Sequence, residues 1–158
     1  MPLIQERPHR LNHKLYIGSI AVAFTICLKE RKQFFTIIDR FRTIETILLQ
    51  SLQHFSCEAY VYLCMPDHAH LLLGGKNNDS DLYRCVKNFK QRSGYWFSVS
   101  KAGVQWQKDF YDHILRNDED VEKQVKYILG NPGRKRLVEY WKDYPFKGST
   151  FYDFTQWL

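Results

Sequence analysis

Several features are missing from this chain of 158 residues, and each absence removes a class of protein. No uninterrupted apolar run reaches the roughly 18 residues that a spanning helix requires, so a membrane span is not expected. The four cysteines, Cys27, Cys57, Cys64 and Cys85, show no close C-x-x-C spacing and stand in apolar or helix-like contexts. That argues against a zinc ribbon or disulfide framework and for reduced packing residues in a cytoplasmic protein. No repeat, low-complexity stretch or linker interrupts the chain, so residues 1–158 read as one domain, long enough to bury one core. Acidic residues are in deficit, 17 against 23 basic ones, and the net charge of +6 suggests a polyanionic partner. An apolar content of 44% with 16% aromatics excludes disorder.

Residues 1–14 form a basic arm with Arg7, Arg10 and Lys14. The apolar run that follows, with Ala21-Val-Ala23, superficially resembles a signal peptide, but it alternates through Ile20, Val22, Phe24, Ile26 and Leu28 as a strand does. A first strand is therefore expected over 15–28. A helix follows, because Ile37, Phe41, Ile44, Leu48, Leu52 and Phe55 recur in steps of three and four. Residues 57–65 and 68–74 read as two strands of a hairpin turning at Pro66-Asp67, and 74–80 as a loop. A second helix is expected from Ser80 or Asp81 to about Ser100, with Leu82, Val86, Phe89, Ser93 and Trp96 or Phe97 inward and Arg84, Lys87, Lys90, Gln91 and Arg92 outward. Residues 104–115 alternate well enough for a strand, with a break near Lys108-Asp109. The run Asn117-Asp-Glu-Asp120 caps a third helix to about Gly130, buried through Val121, Val125 and Ile128 and ended by Asn131-Pro132. The tail, 134–158, is basic and then aromatic. This order suggests an α+β sandwich with an antiparallel sheet covered by helices.

The candidate chemistry starts at His68 and His70. Two apart on a strand, they share a face, while Ala69, Leu71 and Leu73 take the other. The plain reading is a pair of hydrogen-bonded histidines at a sheet edge; the functional one is half of a metal site. On the third helix Lys123, Tyr127 and Asn131 follow at i, i+4 spacing on one face. Two imidazoles and an amide oxygen suit a divalent cation with open positions for a phosphate. A tyrosine beside such a cation can attack phosphorus, a weak nucleophile made stronger by the metal. Ten tyrosines are present, and Tyr111 is the rival, with Asp112 and His113 beside it, although all three read more simply as structural.

Four blocks together resemble a known family. Met65-Pro-Asp-His-Ala-His-Leu-Leu-Leu, Trp106-Gln-x-x-Phe-Tyr-Asp-His-x-Leu-Arg-Asn117, Tyr127-Ile-x-x-Asn-Pro132 and Tyr144-Pro-Phe-Lys-Gly-Ser149 look like the REP-associated tyrosine transposases, a bacterial branch of the single-tyrosine HUH transposases, over about 15–150. The resemblance implies a ferredoxin-like (RRM-like) HUH endonuclease fold with the His-x-His strand central and the tyrosine helix beside it. It implies that His68, His70 and Asn131 bind Mg2+ or Mn2+ and that Tyr127 is the nucleophile. The implied activity is cleavage and strand transfer of single-stranded DNA beside palindromic, REP-like hairpins through a 5'-phosphotyrosine, with no small-molecule cofactor. Arg7, Arg10, Lys14, Arg84, Lys87, Lys90, Lys123, Arg134, Lys135 and Arg136 become the expected DNA contacts. A cytoplasmic, nucleoid-associated protein follows, monomeric or dimeric with the balance towards monomer. Gly130 before Asn131, and Gly133-Arg-Lys-Arg136 after the proline, depart from the family pattern. The glycine is expected to loosen the tyrosine's placement and the added charge to strengthen DNA contacts. The alternatives are a domesticated DNA-binding protein of the same fold without cleavage and, further off, a metal-dependent hydrolase with no covalent intermediate.

Overall fold

The structure, a computed structural model, describes residues 5–6 and 12–158; Arg7 and Arg10 lie outside the described residues. Its strands are β1 (Gln5–Glu6), β2 (Ala21–Cys27), β3 (Cys57–Met65), β4 (His68–Gly75), β5 (Tyr111–Ile114) and β6 (Lys147–Gly148). Its α-helices are α1 (Ile38–His54), α2 (Leu82–Val99), α3 (Val121–Leu129) and the single turn α4 (Asn131–Arg134). The strands make one antiparallel sheet in the order β1-β5-β2-β4-β3-β6, so the His-x-His strand is central. An α+β fold with helices on both faces of a central antiparallel sheet is what the residue pattern and the resemblance imply.

Strand parity sorts the core. On one face Val22, Phe24 and Ile26 of β2 and Ala69, Leu71 and Leu73 of β4 meet Phe41, Ile44, Leu48 and Leu52 of α1 and Leu82, Val86, Phe89 and Phe97 of α2. On the other, Ala23, Val61, Leu63, Met65 and Leu72 carry Val125, Ile128 and Leu129 of α3 and Tyr144 of the tail. Each of these large apolar side chains contributes about 1.5–3 kcal/mol when fully buried. A register shift between Ala59 and Val61 changes the parity of β3, so that Cys57 and Ala59 before it and Tyr62 and Cys64 after it all face the first cluster while Val61, Leu63 and Met65 face the second.

Several boundaries differ from the sequence expectation. The first strand begins only at Ala21, because residues 13–16 form a helical turn that buries Tyr16, whose hydroxyl donates to Asp112 at 2.6 Å. Ile37 caps α1 from outside and is half exposed. The alternating stretch 104–110 is not a continuous strand: Trp106 turns inward beneath α2, donating from its indole to Ser93 Oγ at 2.8 Å, and pairs with the end of β2 only through a single bridge to Leu28 before regular pairing begins at β5. Pro132 does not end helical structure. It occupies the first turn of α4, where its missing N–H costs nothing. Asp81 and Asp120 cap α2 and α3, accepting from Arg84 N and from Glu122 N and Lys123 N. The tail lays Tyr144, Tyr152, Phe154 and Trp157 on the second cluster and adds β6 beside β3.

The close approach of Gly75 to the backbone gives a paired prediction. A Cβ at Gly75 would overlap the carbonyl oxygen of Gly18, which has no freedom to retreat, whereas one at Gly94 on α2 meets only Trp106 at 3.9 Å. Gly75→Ala is expected to lower stability by about 3 kcal/mol, and Gly94→Ala to raise it by up to about 1 kcal/mol through helix propensity. Urea midpoints measure both, and equal midpoints for the two variants would contradict the packing.

Candidate functional site

The hairpin between β3 and β4 turns in two residues, with Met65 paired to His68. The Pro66 carbonyl accepts from Phe34 N and Phe35 N at 2.7 and 3.1 Å, and the Asp67 carbonyl from Leu28 N at 2.9 Å. The Asp67 carboxylate is held by Arg31 Nε at 2.9 Å and by His68 Nδ1 at 2.6 Å. Burial alone would raise the Asp67 pKa, but the hydrogen bonds from Arg31 and His68 outweigh it and hold the group below its ordinary value. A carboxylate only accepts, so His68 Nδ1 carries the proton and its Nε2 presents a lone pair. That Nε2 lies 3.1 Å from His70 Nε2, the rings nearly perpendicular, and His70 Nδ1 lies 3.2 Å from Thr25 Oγ1. Burial keeps both rings neutral: it lowers the His68 pKa against the pull of Asp67, and with the neighbouring charges of His68, Arg134 and Arg31 it takes His70 down to about 3.

This donor set suits a divalent cation. Neutral imidazoles are the ligating form, and adjacent ligands about 2.1 Å from one ion sit about 3 Å apart. Among the described residues no group of three or more His, Cys, Asp or Glu side chains forms a cation site. An ion on this pair therefore needs oxygen from an amide or from the substrate.

The helix that carries Tyr127 packs on β3 through Val125, Ile128 and Leu129, over Leu63 and Met65, the residues paired with His70 and His68. Tyr127 itself is 45% exposed. Arg134 reaches back along the helix: its guanidinium lies 4.0 Å from the Tyr127 ring centroid and donates to the Tyr127 carbonyl at 2.6 Å and to Asn131 Oδ1. The charges of Arg134 and Lys135 also depress the histidines, so the end of the tyrosine helix lies within electrostatic reach of the pair. Tyr111 stands across from Thr25, which in turn stands across from His70, so strand register puts the rival tyrosine in the same row and on the same face.

The remaining expected contacts divide. Lys14, Arg84, Lys87, Lys123, Lys135 and Arg136 are exposed, Arg84 and Lys87 lying over the rings of Phe55 and Tyr83. Lys90 is instead a latch, its ammonium donating to the carbonyls of Gln107 and Lys108 at 2.8 and 2.9 Å. Asp112 accepts from Tyr16, and His113 pairs with Glu119 at 2.9 Å. Thr25, Arg31 and Asp67 were missed by sequence reasoning. Asp67 had a signal, its place beside His68 in a hairpin turn; the other two needed strand register. Also missed was a cavity of about 1030 Å3 between α2 and segment 103–110, edged by Lys29, Lys32, Lys87, Lys90, Lys101 and Lys108. The turn at 28–32 links it to the histidine strand: Lys29 lines the cavity and its N donates to Gln105 O, while Arg31 bonds Asp67 beside His68. No described helix is long and apolar enough to cross a membrane.

Residues 17–131 match the family model described as Transposase IS200 like. A Haemophilus influenzae protein described as a candidate REP-associated tyrosine transposase is 27% identical over 139 residues, covering 78% of this chain and 76% of that protein. A REP-associated tyrosine transposase of Escherichia coli is 24% identical over 140 residues, covering 88% and 81%. A solved REP-associated tyrosine transposase bound to a REP hairpin superposes with a TM-score of 0.73 at 24% identity, over 92% of this chain and 82% of that one. A candidate transposase from Deinococcus radiodurans superposes at 0.53 and 22% identity, over 73% and 92%. At those identities the two structures establish a shared fold.

The buried neutral imidazoles predict how stability responds to acid. Because the folded His70 pKa lies below the unfolded value near 6.5, neither state is protonated above that pH and His70 has no effect there. Below it the unfolded chain binds a proton that the fold refuses, so stability falls as pH drops from about 6.5 towards about 3. Between pH 6.5 and 5, in EDTA, His70 is expected to cost roughly 2 kcal/mol. Urea unfolding of wild type and His70→Gln measures this; parallel pH dependences in the two would refute it.

Proposed function

The chain belongs to the IS200-like transposase family, and on that premise we propose that it is a metal-dependent single-stranded DNA endonuclease and strand transferase acting at the foot of palindromic hairpins. The observation that carries the reading is the histidine pair, its Nε2 atoms 3.1 Å apart, on a strand beside the one that supports the Tyr127 helix. The DNA class is supported by the solved relative bound to a REP hairpin and by the net charge of +6.

In this reaction the phenolic oxygen of Tyr127 attacks the scissile phosphorus. The bond from phosphorus to the leaving 3' oxygen breaks and its electron pair stays on that oxygen, which takes up a proton as the phenol loses one. The products are a 5'-phosphotyrosine and a free 3'-OH. The reverse attack, by the 3'-OH of another end, transfers the strand without a nucleotide cofactor, because the phosphotyrosine conserves the bond energy. Mg2+ or Mn2+, held by His68, His70 and Asn131, would polarise the phosphate and offset its developing charge. Asp67 fixes His68 in the tautomer that leaves Nε2 free, and the Thr25 hydroxyl can accept from His70 Nδ1 in the corresponding tautomer. Arg31, Arg134 and Lys135 supply positive potential around neutral ligands, which suits an incoming phosphate.

The lysine-edged cavity offers a path for the single-stranded flank. Lysines track phosphates, and Gln91, Gln105 and Gln107 can reach base edges. A strand leaving it meets the turn at 28–32 and so arrives beside Arg31 and the histidines.

Tyr127→Phe is expected to abolish covalent attachment of a labelled hairpin oligonucleotide in Mn2+ with binding retained. Tyr111→Phe, the register rival, is expected to keep the adduct, and an adduct that survived in the first variant and vanished in the second would move the nucleophile to Tyr111. An intact wild-type protein that binds and never forms an adduct is the domesticated reading; turnover without an adduct is the hydrolase. For the cavity, replacing Lys29, Lys32 and Lys108 by Ala together should flatten the salt dependence of single-strand binding by about two in log–log slope. An unchanged slope would place the strand elsewhere.

A further inference from the structure

The two departures from the family pattern, Gly130 and the run Gly133-Arg-Lys-Arg136, meet in space. Residues 127, 130, 131 and 134 share one helical face at steps of three and four. Tyr127 and Arg134 are seven residues apart, about 10 Å along a helix axis. The arginine closes that gap only by folding its arm over residue 130. At that position a Cβ would lie 2.7 Å from Arg134 Nη1, so a side chain there forces the guanidinium to shift from this seat. Gly130 has φ −78° and ψ −11°, ordinary helical values, so the glycine is not required by the backbone. What it supplies is room.

We propose that Arg134 is a positioning residue for Tyr127 and that Gly130 is the gap which admits it. The proposal rests on the reading of Tyr127 as the nucleophile. Nearly half exposed, Tyr127 has a ring that the core beneath α3 does not immobilise. Arg134 makes three contacts at once: its guanidinium carbon lies over the ring, one nitrogen donates to the Tyr127 carbonyl, and the same nitrogen donates to Asn131 Oδ1. The carbonyl bond satisfies an acceptor that the end of α3 leaves without an intrahelical partner. The ring contact limits the tyrosine's rotamers by a cation–π attraction of the extended guanidinium, one nitrogen of which meanwhile donates to both oxygens, a span that the compact ammonium of a lysine lacks. Asn131, one turn after Tyr127, is fixed by the same group. The nucleophile and the amide thus move as one unit. The glycine that the sequence alone read as loosening the tyrosine therefore tightens it, by way of a residue four positions later.

The test pairs single-turnover adduct formation on a hairpin oligonucleotide with the 19F resonance of 3-fluorotyrosine placed at position 127, recorded without DNA or metal. Arg134→Ala and Gly130→Ala should each slow adduct formation about tenfold or more, the double variant should be no slower than either, and Arg134→Lys should not restore the rate. Alanine is the better helix former, so Gly130→Ala should keep or raise the melting temperature and hold hairpin affinity within about twofold while the rate falls. Both alanine variants should shift the fluorine resonance in the same direction. Independent, multiplying effects, a wild-type rate in Gly130→Ala, full rescue by lysine, or a resonance unmoved in both variants would each overturn the proposal. The fluorine signal decides the positioning role even if Tyr127→Phe still forms an adduct, the outcome that defeats the nucleophile assignment itself.

Discussion

The two-residue turn at Pro66-Asp67 is the constraint on which the site depends. Its two carbonyls hold the segment 28–35, and its one carboxylate holds both Arg31 and His68. Through that single turn, the orientation of the first imidazole and the path of the chain after β2 become one arrangement. A short hairpin suits this work because it leaves no residues with freedom of their own. The carboxylate is also electrostatically matched: its two partners outweigh the cost of its burial and keep it charged, which in turn keeps the proton on His68 Nδ1.

Around the turn, the charges are arranged so that cations flank groups that are themselves uncharged. Burial removes the positive charge that the histidines would otherwise carry, and Arg31, Arg134 and Lys135 oppose its return. A protonated pair would repel a metal ion; a neutral pair amid cations is the state that the proposed chemistry requires, because it leaves lone pairs for a cation while the surrounding charge attracts phosphate. Burial and charge thus act in the same direction here, which is why His70 is held so far from its ordinary pKa while His68, drawn back by Asp67, is shifted less.

Much of this was legible in the residues. The alternation of His68-Ala-His70 fixes which side chains face away from the core, Asp120 marks the start of the tyrosine helix, and the i, i+4 step joins Tyr127 to Asn131; all three are local relations, and local relations survive in a sequence. What was not legible required partners far along the chain. Thr25 becomes relevant only through its pairing with His70, and Arg31 only through the hairpin turn. The stretch 104–110 alternates like a strand, yet Trp106 finds a hydroxyl beneath α2 and the segment follows its side chain inward. Lys90 reads as a solvated charge on a helix face, and it is spent on two carbonyls that no periodicity announces. The lysine-edged cavity draws on three separate segments, so no single window of sequence contains it.

The two faces of the sheet are unequal, and that inequality explains where chemistry is possible. The face under α1 and α2 carries the larger cluster and is apolar nearly throughout, whereas the face under α3 gives up positions to His68, His70 and Thr25. Polar groups tolerate partial burial only when bonded, and each of these three is. Because the side chains of β4 alternate, sliding it by one residue would drive both imidazoles into the larger core and move Leu71 and Leu73 to the face under α3. Stability and function are therefore fixed by the same register: the leucines that hold β4 against α1 and α2 are what aim its histidines at the tyrosine helix.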